Sequence, residues 1–258
     1  MPSRADLATI RAQIAAVEAG TRSPGGVWRF GEAGIDGCFV KGGLALSAWH
    51  EIAADGMGAE LCAAPAAFAA QIAGALATAG KSGGEVVWVM RRDDLYPPGL
   101  AHLGFAAQRL IQVRAQSEDE VLAVLEEALA SRGVAAVIGE AEYVPLTAGR
   151  RLQLACERGG TTGFVLARRP YGVASRKVMG GGSASASRWR VGPAPSARGE
   201  GGVGLGAARW TVALERCRGG RPGAWILEET ADGPHPFRLA AEVADHGLAP
   251  PQPLRRAG

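Results

Sequence analysis

Gly42-Gly43-Leu44-Ala45-Leu46-Ser47-Ala48-Trp49-His50-Glu51-Ile52 is a glycine turn running into an apolar strand, and the residues just after it decide the fold. In nucleotide-binding α/β domains such a strand leads into G-x-x-x-x-G-K-[ST]. The backbone N–H groups and single Lys of that loop neutralise phosphates, and its Ser/Thr holds magnesium. This chain continues Ala53-Ala54-Asp55-Gly56-Met57-Gly58-Ala59-Glu60-Leu61. The Lys and the Ser/Thr are both missing, and the acidic Glu60 stands where the cation belongs. The segment reads as the core of a nucleotide-binding domain that has lost its phosphate chemistry, with a degenerate site near Gly56, Gly58 and Glu60.

Outward from this stretch, strands and helices alternate. Apolar runs predict strands over 44–52, 85–90, 110–113, 134–138 and 163–166, with helices over 66–79, 98–103, 117–131 and 146–157. Ser117 followed by Glu120 is a capping-box signal for the third of these helices. Such alternation builds a mostly parallel sheet with helices on both faces. The last third changes character. Residues 188–191, 210–216 and 224–228 alternate apolar and polar, as half-buried antiparallel strands do. The expected fold is therefore α/β, with a mostly parallel central sheet flanked by helices and C-terminal antiparallel strands. Upstream, Leu7, Ile10, Ile14 and Val17 form one apolar helical stripe, followed by the break Thr21-Arg22-Ser23-Pro24-Gly25-Gly26. A helix set off in this way either folds back on the core or docks on another chain. The division expected is 1–26 for this helix and linker, 27–245 for the core and 246–258 for a disordered tail.

With 258 residues the chain can form one large α/β domain. Residues 1–17 carry charges throughout and no apolar signal-peptide core. The uncharged stretch 61–80 is mostly Ala, interrupted by Pro65 and Gln71, and reads as a core helix rather than a membrane span. Cys38, Cys62, Cys156 and Cys217 include no C-x-x-C pair, which argues against zinc and fits free thiols in a reducing cytosol. Net charge is +3, unevenly spread. Residues 1–149 carry 11 Lys/Arg against 17 Asp/Glu, while residues 150–221 carry 14 against 3. Twenty-five Arg against 3 Lys reflects a high-GC genome, but that bias does not explain the local shortage of acids. A basic third of this kind faces nucleic acid or an acidic partner.

The order of these pieces resembles the RecA core. Within that superfamily the chain resembles the ImuA family, RecA-like accessory proteins of a bacterial mutagenesis cassette. The likeness rests on Trp88-Val89-Met90-Arg91-Arg92-Asp93-Asp94-Leu95-Tyr96-Pro97-Pro98-Gly99-Leu100, on Leu152-Gln153-Leu154-Ala155 with Gly160-Thr161-Thr162-Gly163, on Arg188-Trp189-Arg190-Val191 and on Arg216-Cys217-Arg218-Gly219-Gly220-Arg221-Pro222-Gly223. The resemblance implies work in damage-induced translesion synthesis (the SOS response) beside an ImuB-like inactive polymerase and a DnaE-type error-prone polymerase. RecA, single-stranded DNA and a second copy of the chain are further partners to be tested. Some relatives are labelled cell-division inhibitors, which keeps that alternative open.

Matched to the RecA pattern, Glu140 after the strand 134–138 is a vestige of the Walker B acid, and an acid at a strand end is common. Arg92 falls where the catalytic Glu belongs, and an arginine stays protonated and cannot serve as a base. No ATPase chemistry, cofactor or metal is expected. A nucleotide-dependent enzyme would have to hold phosphate by backbone amides around Gly56-Met57-Gly58 alone. Arg91, Arg92 and Tyr96 form a partner-facing patch at the carboxyl edge of the sheet, where such folds place ligands. Leu7, Ile10, Ile14 and Val17 are expected to form a second partner surface if their helix docks on another chain rather than on the core. DNA contact is expected through Arg168, Arg169, Arg176 and Lys177, bordered by Arg188 and Arg190, since Arg and Lys neutralise phosphates and Tyr171 can stack on a base. The chain from Glu140 to the helix at 146 is shorter than the matching RecA excursion, so only weak DNA binding is expected.

Overall fold

Two kinds of strand sequence meet in one sheet. In a computed structural model, β3 (Trp49–Ala54), β4 (Glu85–Met90), β6 (Val134–Ala141) and β7 (Thr162–Ala167) are mostly apolar and buried over most of their length on both faces, with His50, Glu51 and Glu140 among the buried polar exceptions. By contrast β9 (Arg209–Cys217) buries alternate residues through Leu214, and its neighbour β10 (Gly223–Glu229) buries Trp225 and Leu227. The structure describes residues 25–55, 63–79, 84–101, 103, 105–168, 183–196, 206–230 and 235–242. With β5 (Leu110–Arg114), β8 (Ser187–Ala194) and β11 (Phe237–Glu242), the nine strands run in the order β11-β10-β9-β8-β3-β7-β6-β4-β5. From β8 to β5 every pairing is parallel, while β8 to β11 pair antiparallel. Thus β8 is the seam between the two halves.

Each face has its own helical cover. The Ala-rich α2 (Ala64–Ala79), which comes after the short α1 (Ala33–Asp36), lies on one face with Phe68 and Ile72 fully buried. Its small side chains let the helix sit low on the sheet beside Ile138, Phe164 and Trp189. This is the uncharged stretch read as a core helix, and no helix among the described residues is long and apolar enough to cross a membrane. On the other face lie α4 (Glu118–Ala130) and α5 (Leu146–Gly159), reached after the short α3 (Pro97–Ala101). Val121, Leu125 and Leu129 recur every four residues on α4 and pack on Val87, Val89 and Val137. A Cβ at Gly139 would stand 2.5 Å from Leu125 Cδ2, so the glycine in Val-Ile-Gly-Glu is what lets α4 approach.

The cap of α4 matches the sequence signal with one change. Ser117 Oγ accepts from Glu120 N–H at 3.2 Å, and the Glu120 carboxylate accepts from Gln116 N–H at 2.6 Å, one residue earlier than a standard box. Another expectation is corrected outright. The apolar run 44–52 is two strands, because Ser47 takes φ +52° and breaks it. Leu44–Ala45 forms β2 and pairs antiparallel with β1 (Val27–Trp28), while β3 begins at Trp49. Neither β1 nor β11 is announced by the sequence pattern. Phe30 and Phe237, from opposite ends of the described chain, meet in an aromatic cluster with Phe68 and Trp189. Leu7, Ile10, Ile14, Val17, Gly56, Gly58, Glu60, Arg169, Arg176 and Lys177 lie outside the described residues.

Candidate functional site at the carboxyl edge of the parallel strands

Parallel strands bring their carboxyl ends to one edge, and here those ends carry the charged residues singled out in the sequence. Glu140 sits near the end of β6 and Arg168 just past the end of β7, its neighbour. Arg168 Nη1 donates to Glu140 Oε1 at 2.9 Å. It also grips Asp94, from the loop after β4, through two bonds of 3.1 and 2.8 Å. Arg92 Nε lies 3.4 Å from the same Asp94 carboxylate. Two arginines and two acids therefore close a network whose formal charges cancel.

Glu140 is 4% exposed, and Trp88 Nε1 on β4 donates to its Oε1 at 3.3 Å. Burial pushes its carboxyl above the usual range, opposed by the Arg168 charge and by the hydrogen bonds from Trp88 and Arg168. Both hydrogen bonds end on Oε1. Oε2 takes neither, and it is not among the sealed, unpartnered side-chain atoms of the described residues. It belongs to a residue lining a cavity of about 240 Å³. Ile52, Pro65, Ala66, Leu100, Leu103 and Leu166 give that cavity an apolar wall, and Trp88, Asp94 and Arg168 give it polar atoms. Tyr96 also lines it, yet remains 70% exposed.

A second clamp holds the adjacent loops. Glu118, at the start of α4, accepts from Arg91 at 3.3 Å and from the backbone N–H groups of Glu142 and Tyr143 at 2.5 and 3.2 Å. Arg91 is thereby tied to the loop after β6.

Arg91, Arg92, Tyr96, Glu140 and Arg168 thus gather at this edge. Arg188 and Arg190 do not. They project from β8 on the sheet face opposite Trp189 and Val191. Arg188 Nε pairs at 3.0 Å with Glu51, which is 6% exposed. Arg190 bonds Glu215 at 2.7 Å and Ala54 O at 3.4 Å. Sequence reading missed Trp88 and Asp94 as partners of the site. The available signal was spacing: Asp94 and Arg168 both come soon enough after parallel strands to reach a common acid. Among the described residues no group of three or more His, Cys, Asp or Glu side chains is placed to hold a metal ion.

No family model matches the chain. Two proteins named ImuA, from Caulobacter vibrioides strains NA1000 / CB15N and ATCC 19089 / CIP 103742 / CB 15, are each 56% identical to it over 246 residues, covering 94% of this chain and 100% of theirs. The chain belongs to the ImuA family. Among solved structures, SulA from Pseudomonas aeruginosa aligns with a TM-score of 0.39 and 17% identity, over 47% of this chain and 98% of that one. That likeness is too low to carry an argument about fold or function. ImuA membership rests on the full length of both relatives and on 94% of this chain.

Proposed function

We propose that the protein is a non-catalytic accessory factor of damage-induced translesion DNA synthesis, with a RecA-like core that acts by contact with an ImuB-like inactive polymerase and a DnaE-type error-prone polymerase. Membership in the ImuA family supports the mutagenesis setting. The observation that carries the non-catalytic reading is the Arg168–Glu140 pair at 2.9 Å. An acid that holds magnesium through water needs its oxygens free for that water, and here one oxygen of Glu140 is already shared by Arg168 and Trp88. Arg92, where the attacking water would need a base, is itself paired with Asp94. The edge offers a partner instead an exposed Tyr96 beside an apolar cavity and a half-exposed Arg91.

The test is co-expression with the two polymerase partners, then capture on the tagged protein. Wild type retains the ImuB-like partner, and the double variant Arg91→Glu/Tyr96→Ala loses it while remaining folded by circular dichroism. Equal capture by both proteins moves the contact away from this edge. No capture by wild type removes the accessory reading.

A further inference from the structure

We infer that the cavity at the carboxyl edge is a receptor for one aromatic side chain of a partner protein, a tyrosine or tryptophan whose O–H or N–H donates to Glu140 Oε2. This rests on the accessory reading above and gives its contact a chemistry. Glu140 is 4% exposed, both donors that reach it end on Oε1, and the residue lines the cavity. Oε2 takes neither of these donors and is not sealed from solvent, so a neutral donor entering the cavity can replace water on it while its body covers the apolar wall.

Three features set the occupant's character. Its body must be apolar and sizeable, because Ile52, Pro65, Ala66, Leu100, Leu103 and Leu166 wall about 240 Å³. A serine or threonine leaves most of that volume empty. Its donor must be neutral, because Arg168 and Arg92 already balance Glu140 and Asp94, leaving no net charge for a lysine to satisfy. Finally, it is a side chain rather than a free cofactor. The space is smaller than the roughly 300–1,000 Å³ of drug-sized ligand pockets. Tyr96, 70% exposed, adds apolar surface at the cavity. A buried anchor ringed by such contacts is how protein interfaces concentrate their affinity, and Tyr and Trp join an apolar ring to a donor tip.

Phenol, indole and toluene serve as probes on the full chain, tracked through the Trp88 indole N–H resonance, assigned by its loss in Trp88→Phe. Phenol and indole are expected to shift that resonance and to bind about tenfold tighter than toluene, the order given by a hydrogen bond to a charged group. In Glu140→Gln, Trp88 and Arg168 hold the amide oxygen and turn its NH2 toward the cavity, so the preference for indole, whose N–H can only donate, disappears, while phenol can still accept through its oxygen. Ala66→Leu fills the space and abolishes binding of all three probes. Equal binding of phenol and toluene by wild type, or no shift of the Trp88 resonance at saturation, overturns the inference. If Ala66→Leu still captures the polymerase partner, the receptor fails while the accessory reading stands. If wild type binds phenol selectively but captures no polymerase, the accessory reading fails instead.

Discussion

His50 Nδ1 and Ser187 Oγ stand 2.7 Å apart within the sheet, on paired parallel strands. The rest of the chain of bonds assigns the proton. His50 Nε2 donates to Ala45 O at 2.9 Å, so Nδ1 accepts from the Ser187 hydroxyl. Ser187 Oγ in turn accepts from Trp189 Nε1 at 2.8 Å. All three polar groups are satisfied, which marks this pair as a structural bracket across the seam rather than a nucleophile and base.

That bracket makes the protein acid-sensitive. Burial pushes the His50 pKa down to about 4, opposed only by the bond to Ala45, against about 6.5 in the unfolded chain. The unfolded state therefore takes up the proton first as pH falls. The stabilisation is complete above about 6.5, drains away between about 6.5 and 4, and amounts to about 3 kcal/mol. Urea unfolding across this range should show the loss in wild type and a shallower pH dependence in His50→Asn. Identical slopes would remove His50 as the cause.

Truncating Arg188 removes the hydrogen-bonded partner of Glu51, which is 6% exposed and paired at 3.0 Å, and leaves it the charge of Arg216. Arg188→Ala should cost about 3 kcal/mol in urea unfolding, since an unpaired buried charge is penalised more than the pair is worth. Adding Glu51→Gln should recover part of that loss. Strict additivity of the two changes would mean that the pair is uncoupled.

Stability and DNA contact should separate among the basic residues. Arg168→Ala removes a partner from both Glu140 and Asp94, leaving Trp88 on the first and Arg92 on the second, and should lower the melting temperature by several degrees without changing the salt dependence of single-strand binding. Reversing Arg176 and Lys177 to Glu should do the opposite, flattening the slope of log affinity against log salt by roughly 0.7 per phosphate contact. A salt slope altered by Arg168→Ala would show that this side chain leaves its carboxylates for phosphate. No binding at low salt would assign the basic third to an acidic protein.

ATP should bind no tighter than about millimolar in calorimetry. Micromolar affinity, or turnover abolished by Glu140→Ala, would restore a nucleotide role to the cavity edge.

Deleting residues 1–20 should impair partner capture or self-assembly, read by pull-down and light scattering, because the spacing of Leu7, Ile10, Ile14 and Val17 in the sequence suits one apolar helical stripe. If both are unchanged and only thermal stability falls, that stripe covers the protein's own core.

The sequence disclosed this fold wherever local pattern and burial agree. The run Glu85-Val86-Val87-Trp88-Val89-Met90 has the composition of a two-faced strand and is one, and Ser117 caps the helix that its spacing announces. Pattern failed at Ser47, where an apolar run conceals a positive φ, and at 237–242, where the alternation is short and the decisive contact is Phe237 against Phe68 and Trp210. At the site, Glu140 and Arg168 could each be picked out as charged ends of apolar strands. Their meeting, with Trp88 beneath and Asp94 across, depends on the order of β4, β6 and β7 in the sheet, which no local pattern encodes. The cavity likewise joins walls from β3, α2, α3 and β7, and exists only once they assemble.

Strand order also sets a timetable during synthesis. β4, β5 and β6 leave the ribosome in sequence and can pair with one another at once, whereas β3, made before them, finds its neighbours only in β7 and β8. Translation at about 5–20 residues per second puts a delay on the order of 5–20 s between the end of β3 and the start of β7. Until Ser187 and the residues after it emerge, β3 keeps one edge open, and a nascent chain halted before that point should expose that edge to chaperones and proteases.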